Sequence, residues 1–230
     1  MQKGKLIVIE GGDGSGKSTQ LELLTNKIKS SGREVEHIHF PKHESRFGKV
    51  VDAYLRGEFG SKNILPPEFI AMIYISDFYE SKHHIEDSLA QGKIILLSRF
   101  FSSTLTYQVA LEKKNKDSLW DWIRVVCSRL PQPDLVMVLD VPLRVSKKFM
   151  DNENRAESYK RGAKKDQHED DLDFQQAVRD EYERNIKRLG WKRVKCYDAE
   201  RLLGIEEISE RVWKEVEDAL NRPHGLKGFF

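Results

Sequence analysis

Cysteine is scarce in this 230-residue chain, which holds only Cys127 and Cys196. Two thiols exclude a disulfide-rich scaffold and any zinc site built from cysteine alone. One bridge between them is chemically possible. Disulfides follow oxidising compartments, however, and two reduced thiols in a cytoplasmic protein are the expectation. Long apolar runs are missing too. None approaches the ~20 residues that a membrane span requires. Met1–Lys5 leads into Leu6–Ile9, too short for the hydrophobic region of a secretory leader, so neither a leader nor a membrane partner is expected. An excess of charge of one sign is also absent. The 39 Lys+Arg and 37 Asp+Glu leave a formal net charge of +2. That balance argues against nucleic acid held by electrostatics alone, and no nucleic-acid partner is expected. What the chain has in plenty is charge itself, at 33% of residues, beside 39% hydrophobic residues. At this length it can bury a substantial core as one large domain or two small ones.

Short apolar runs recur at Leu6–Glu10, Val35–Phe40, Ile94–Leu97, Leu135–Asp140 and Val194–Tyr197. Most are rich in Val, Ile or Leu and alternate little, as strands covered on both faces do. The stretches between them are long enough for crossover helices. The pattern predicts an α/β fold, an open and doubly wound parallel sheet. Two segments depart from it. Asp151–Asp171 carries Arg155, Lys160, Arg161, Lys164 and Lys165 with almost no large apolar residues, and is expected to be an exposed excursion. Asn221–Phe230, with Pro223, Gly225 and Gly228, reads as a loose tail. The domain boundary is therefore set at residues 1–220.

The strongest signal is Gly11-Gly12-Asp13-Gly14-Ser15-Gly16-Lys17-Ser18, which fits G-x-x-x-x-G-K-[ST]. A strand-like run precedes it, and a helix-like run, Thr19–Lys29, follows with Leu21, Leu24 and Ile28 at helical spacing. That context confirms a phosphate-binding loop. Glycines let the backbone turn its N–H groups towards phosphate oxygens, and the helix start adds its positive dipole end. Lys17 is expected to reach the β- and γ-phosphates of a bound triphosphate and Ser18 to bind Mg²⁺. Such a cradle does not name the acceptor, since kinases, ATPases and switch proteins share it.

Further along, Phe40-Pro41 closes the second run, and Pro66-Pro67 suits the start of a helix carrying Tyr74, Asp77 and Phe78. Arg99 follows the third run, where the C-terminal edge of an open sheet binds ligands and a guanidinium suits bidentate capture of a phosphate. With Ser98-Arg99-Phe100, Ser102-Ser103, Tyr107-Gln108, Pro133-Asp134-Leu135, Leu139-Asp140-Val141 and Val178-Arg179-Asp180-Glu181-Tyr182, these pieces occur in the order of the thymidylate kinases. The chain resembles that family over most of its length. The resemblance implies a three-layer P-loop kinase fold with about five parallel strands and a basic lid at 151–171. It implies transfer of the ATP γ-phosphoryl group to dTMP with Mg²⁺, in a homodimer. Residue by residue, it implies that Gly11 to Thr19 hold ATP, that Arg99 grips the acceptor phosphate and that Tyr74 stacks on the base. Tyr107 matches the tyrosine beside the deoxyribose. Phe40, Pro41, Phe78, Ser103, Thr104 and Gln108 fall in the acceptor pocket. Some relatives put an arginine within the P-loop. This chain has Gly14 there and carries its cations in the lid, so the resemblance implies a catalytic lid cation, Arg155 or Arg161. Glu169 aligns with a family carboxylate near the acceptor.

Two departures are evident. The family usually has aspartate just before the arginine that ends the third strand, where this chain has Ser98, leaving Asp13 as the main carboxylate near the transferred group and, with Ser18, the candidate for Mg²⁺. The helix of Tyr74 usually presents an arginine to a thymine carbonyl, where this chain has Phe78, which packs but cannot donate. His43 and Arg46 are possible substitutes. Base selectivity resting on shape is weaker than selectivity resting on a hydrogen bond. Two alternatives therefore stay open, a kinase of another nucleoside monophosphate and a catalytically weak nucleotide-binding regulator.

Overall fold

All five residues of Leu6–Glu10 (β1) are buried, and their side chains alternate between two cores. Leu6 and Val8 belong to one, Ile7 and Ile9 to the other, so β1 lies in the middle of a sheet covered on both faces. The structure is a computed structural model that describes residues 3–143, 145, 171–198 and 201–222. The elements run β1, α1 (Lys17–Ser30), β2 (Val35–His39), α2 (Arg46–Leu55), α3 (Pro67–Glu80), α4 (Lys82–Ala90) and β3 (Ile94–Ser98). There follow α5 (Phe101–Leu111), α6 (Lys116–Cys127), β4 (Leu135–Asp140), α7 (Leu172–Leu189), β5 (Lys192–Lys195), β6 (Tyr197–Asp198), β7 (Arg201–Leu202) and α8 (Ile205–Asn221). The main sheet has the order β2-β3-β1-β4-β5, with every pairing parallel.

Helices α1 and α8 cover one face through Leu21, Leu24, Ile28, Ile208, Val212 and Val216. Helices α3 to α7 cover the other, and α2 packs on α3 through Val51, Tyr54, Ile70 and Ile73. Local chemistry fixes the helix ends. Pro67 occupies the first turn of α3, where a missing N–H costs nothing. The Asp171 carboxylate accepts from the Phe174 N–H at 2.9 Å and caps α7.

Several expectations need adjusting. The run Val194–Tyr197 is two elements. Lys192–Lys195 pairs with β4, and Tyr197–Asp198 forms an antiparallel ribbon with Arg201–Leu202. As an edge strand, β5 takes Lys192, Arg193 and Lys195, so its pattern is polar and hides its true start. Asp171 is the cap of α7, and Asn221 closes α8 instead of opening a tail. Residues 151–170 and 223–230 lie outside the described residues. The thiols are both buried and free and belong to different cores, Cys127 to one and Cys196 to the other, so the bridge conceivable on paper is not made. No helix among the described residues is long and apolar enough to cross a membrane.

Candidate active site

The glycine-rich loop leaves the tip of β1 and enters α1. At Gly16 the backbone has φ +86°, a left-handed conformation that glycine adopts without strain. Gly11 is required for a second reason. A Cβ there would lie 2.8 Å from Ser15 Oγ and 3.0 Å from the Leu139 carbonyl oxygen, so the loop could not close against β4. Lys17 folds back into the loop and donates from Nζ to the carbonyls of Gly11 at 3.0 Å and Gly12 at 2.8 Å. This places a cation in a ring of backbone at a helix N-terminus, an arrangement made for phosphate. Ser18 and Thr19 follow in the first turn, with Ser18 exposed.

Arg99 stands across from this loop, immediately after β3. Its backbone is left-handed at φ +64°, the one such non-glycine residue among those described, and this turns its side chain towards the cradle. Nη2 pairs with Asp13 Oδ1 of the loop. Nη1 donates to Ser103 Oγ at 3.2 Å, Nη2 reaches Tyr107 Oη at 3.4 Å, and the guanidinium lies 5.2 Å from the centre of the Tyr107 ring. Burial opposes the charge on Arg99, but Tyr107, Asp13, Tyr182 and Glu10 more than offset it and hold the group cationic beyond its ordinary range. Burial likewise pushes the Tyr107 and Tyr182 phenols up, so both remain neutral donors.

Ser103, Thr104, Tyr107 and Gln108 of α5, the residues expected to face an acceptor, are all buried. Thr104 and Gln108 share a helix face. Oγ1 of Thr104, Oε1 of Gln108 and Oγ of Ser98 find no partner among the described residues. Buried polar atoms without partners are costly and are normally satisfied by a ligand or water. Tyr74 is half-buried, edge-on to Tyr54 with ring centres 6.1 Å apart. Phe40 and Phe78, at 1% and 2% exposure, pack edge to face, and both rings lie against Phe100. They therefore form packed backing for this region and offer no hydrogen bond. Pro41 follows Phe40 and is only partly buried.

Several contributors escaped the sequence reading. Glu10, fully buried, was visible as the one charge in an otherwise apolar strand. His39, at the end of β2 opposite Ser98, stacks on His43 with ring centres 6.0 Å apart. Burial, helped by Arg99, His43 and Lys17, lowers its pKa to about 3. His43 in turn is tied to Asp52 through Nδ1 at 2.7 Å. Behind the loop, Gly12, Ser15, Asp140, Arg179 and Tyr182 help to line a small pocket, where Arg179 donates to Asp140 at 3.0 Å. Arg155, Arg161 and Glu169 lie outside the described residues.

Mg²⁺ suits this donor set. It keeps several waters and takes only one or two protein oxygens besides phosphate, and the Ser18 hydroxyl and Asp13 carboxylate can supply those. No cluster of three or more His, Cys, Asp or Glu among the described residues could cage a metal unaided.

Comparison with known proteins agrees with this geometry. The family model for thymidylate kinase matches residues 9–212. A thymidylate kinase of Bradyrhizobium is 30% identical over 220 residues, covering 95% of this chain and 92% of its own. That of Schizosaccharomyces pombe is 33% identical over 144 residues, covering 63% of this chain and 64% of its own, so the matched stretch spans less than two thirds of that relative. Among solved structures, the thymidylate kinase of Candida albicans superposes with a TM-score of 0.70 at 26% identity, covering 95% of this chain and 93% of the other.

Proposed function

The chain belongs to the thymidylate kinase family, and on that premise we propose that it transfers the γ-phosphoryl group of ATP to dTMP, giving dTDP and ADP. The observation that carries the reading is the position of Arg99, a part-buried cation just after β3 paired with Asp13 of the phosphate loop. An acceptor phosphate gripped there lies next to the donor cradle, which is what phosphoryl transfer needs, because its catalysis is mostly positioning and charge neutralisation.

Lys17 and the loop amides hold the β- and γ-phosphates. Lys17 exchanges its carbonyl contacts at Gly11 and Gly12 for phosphate oxygens. Arg99 turns Nη2 from Asp13 onto the acceptor phosphate while Nη1 keeps its bond to Ser103. One acceptor oxygen then attacks the γ-phosphorus, the bond from that phosphorus to the β–γ bridging oxygen breaks, and ADP leaves. Mg²⁺ held at Ser18 and Asp13 would neutralise charge on the phosphates. Arg155 or Arg161 of the lid would add a further cation, worth on the order of 10³–10⁵ in rate by analogy with arginine fingers. On the acceptor side Tyr74 stacks on the base, Tyr107 abuts the sugar, and Thr104 and Gln108 supply the unpartnered oxygens. A homodimer is part of the same proposal.

The absence of a donor at Phe78 favours one second reading, a kinase with wider choice among monophosphates. A broad substrate specificity is stated of the Candida albicans enzyme. A coupled ADP-release assay across dTMP, dUMP, dCMP, dGMP and dAMP separates the two. The proposal expects dTMP to give the highest kcat/KM. Equal turnover of several bases supports the wider kinase, and ATP binding without acceptor-dependent ADP release overturns both.

A further inference from the structure

Glu10 is a carboxylate with 0% exposure at the end of β1. Burying a charge costs several kcal/mol unless it is matched by hydrogen bonds and an opposite charge. Both are present. Oε1 accepts from the Phe100 N–H at 3.2 Å and from Ser102 Oγ at 2.5 Å. Oε2 accepts from Ser103 Oγ and from Tyr182 Oη at 3.0 Å. Four donors fill the roughly four acceptor sites of a carboxylate. They come from the start of α5 and from α7, and they tie both helices to the strand that carries the phosphate loop. The nearby opposite charge is Arg99, whose cationic form Glu10 favours.

The link from Glu10 to Arg99 runs through a single hydroxyl. Ser103 has one proton. Because that proton is given to Glu10, the serine oxygen turns its lone pairs elsewhere and accepts from Arg99 Nη1 at 3.2 Å. A carboxylate can only accept, so it fixes the direction of this bond. We propose that Glu10 is a positioning residue for acceptor binding, which acts through Ser103, with Tyr182 as its second anchor, to hold Arg99 in its phosphate-gripping pose. The inference rests on the monophosphate kinase reading for its assay.

The substitution E10Q tests the direction of the bond while keeping its shape. The Phe100 N–H cannot reverse, so the amide oxygen must stay opposite it. The amide NH₂ then faces Ser103 and Tyr182. Ser103 now accepts from the amide, so its proton is no longer fixed on residue 10, and the bond from Arg99 loses both its fixed direction and the nearby negative charge. The expected result is a rise of about tenfold or more in the KM for dTMP, the order of one charged hydrogen bond, with the KM for ATP changed less than twofold. A purely structural Glu10 would lower the melting temperature and the active fraction and leave KM for dTMP unchanged, and that outcome overturns the proposal.

Two serine variants keep the test decisive if E10Q does not fold. Ser102 and Ser103 each give Glu10 one hydrogen bond, but only Ser103 touches Arg99. S103A should raise the KM for dTMP several-fold, and S102A should leave it within twofold; equal values for the two overturn the proposal. Where E10Q folds, the double variant E10Q/S103A should be no worse than the more affected single variant, because both act on the same bond. Multiplying effects would place Glu10 and Ser103 on separate paths and likewise overturn it. Direct titration of the wild type with dTMP separates this from the functional reading. No dTMP binding by the wild type sinks the kinase assignment, whereas equal binding by wild type and E10Q sinks only the role of Glu10.

Discussion

Arg99 concentrates the chemistry of the site in one side chain. Its two terminal nitrogens reach Asp13, Ser103 and Tyr107 at once, which requires the flat, fixed fork of a guanidinium. Lysine offers a single point charge on a flexible stem and cannot reproduce these three contacts. R99K is therefore expected to lower kcat/KM for dTMP by about 10- to 100-fold, the equivalent of one charge-assisted hydrogen bond, with ATP saturation little changed in the same steady-state assay. Gly48 decides a different matter, the join between the end of β2 and α2. Its N–H donates to Ser45 Oγ at 2.8 Å, and a Cβ there would stand 1.9 Å from the Lys42 carbonyl oxygen. Backbone cannot yield as a side-chain tip can. G48A should cost about 1–3 kcal/mol, or about 2–12 °C in melting temperature by calorimetry. Arg99 could be read from its place after an apolar run. Gly48 could not, because the atom that forbids a side chain belongs to a residue brought back by a turn.

The strand β2 ends on a residue that gives the fold a pH dependence. His39 is partly buried beside Arg99, His43 and Lys17, and its pKa falls from 6.5 to about 3. Between those values the unfolded chain binds the proton and the folded one does not, so the contribution of His39 to stability rises with pH over that window and falls on acidification. One such group contributes at most about 1.4 kcal/mol per pH unit. H39Q keeps a polar group and removes the titration. Urea unfolding at pH 4.5, 5.5 and 6.5 should show a shallower pH slope for the variant than for the wild type, and an unchanged slope would refute the assignment. Elements of this kind were unevenly legible. The apolar runs of β1 and β4 match the observed strands residue for residue, because burial on both faces leaves only apolar choices. The edge strand β5 was misplaced for the opposite reason, since its exposed side accepts Lys and Arg. The P-loop helix was plain from its leucine spacing. The order β2-β3-β1-β4-β5 was not, because strand order depends on crossovers between segments that carry no mark of their neighbours.

At the scale of the molecule, the sheet divides the interior into two cores, and the site opens at the tips of the strands between them. Legibility followed that division. The residues proposed to bind phosphate could be read because the loop motif imposes its own spacing. Phe40 and Phe78 are now seen as packing, because a sequence does not distinguish an aromatic that lines a pocket from one that supports it. The same division fixes the chemistry of the thiols. Cys127 closes α6 in one core and Cys196 follows β5 in the other. Both are 0% exposed, and burial pushes each pKa to about 12. Thiolate is the reactive form, so at pH 8 each is protonated as well as shielded. Native protein should release almost no thionitrobenzoate from Ellman's reagent, and denatured protein two equivalents, one for each cysteine. Reductant should leave the melting temperature unchanged, since no bridge is there to cut. Because the thiols sit in separate cores, their slow native-state reaction reports which core opens first. Equal rates, matching the global unfolding rate, would show that the two cores open together. Early reaction of Cys196 alone would place the weaker seam on the face covered by α1 and α8.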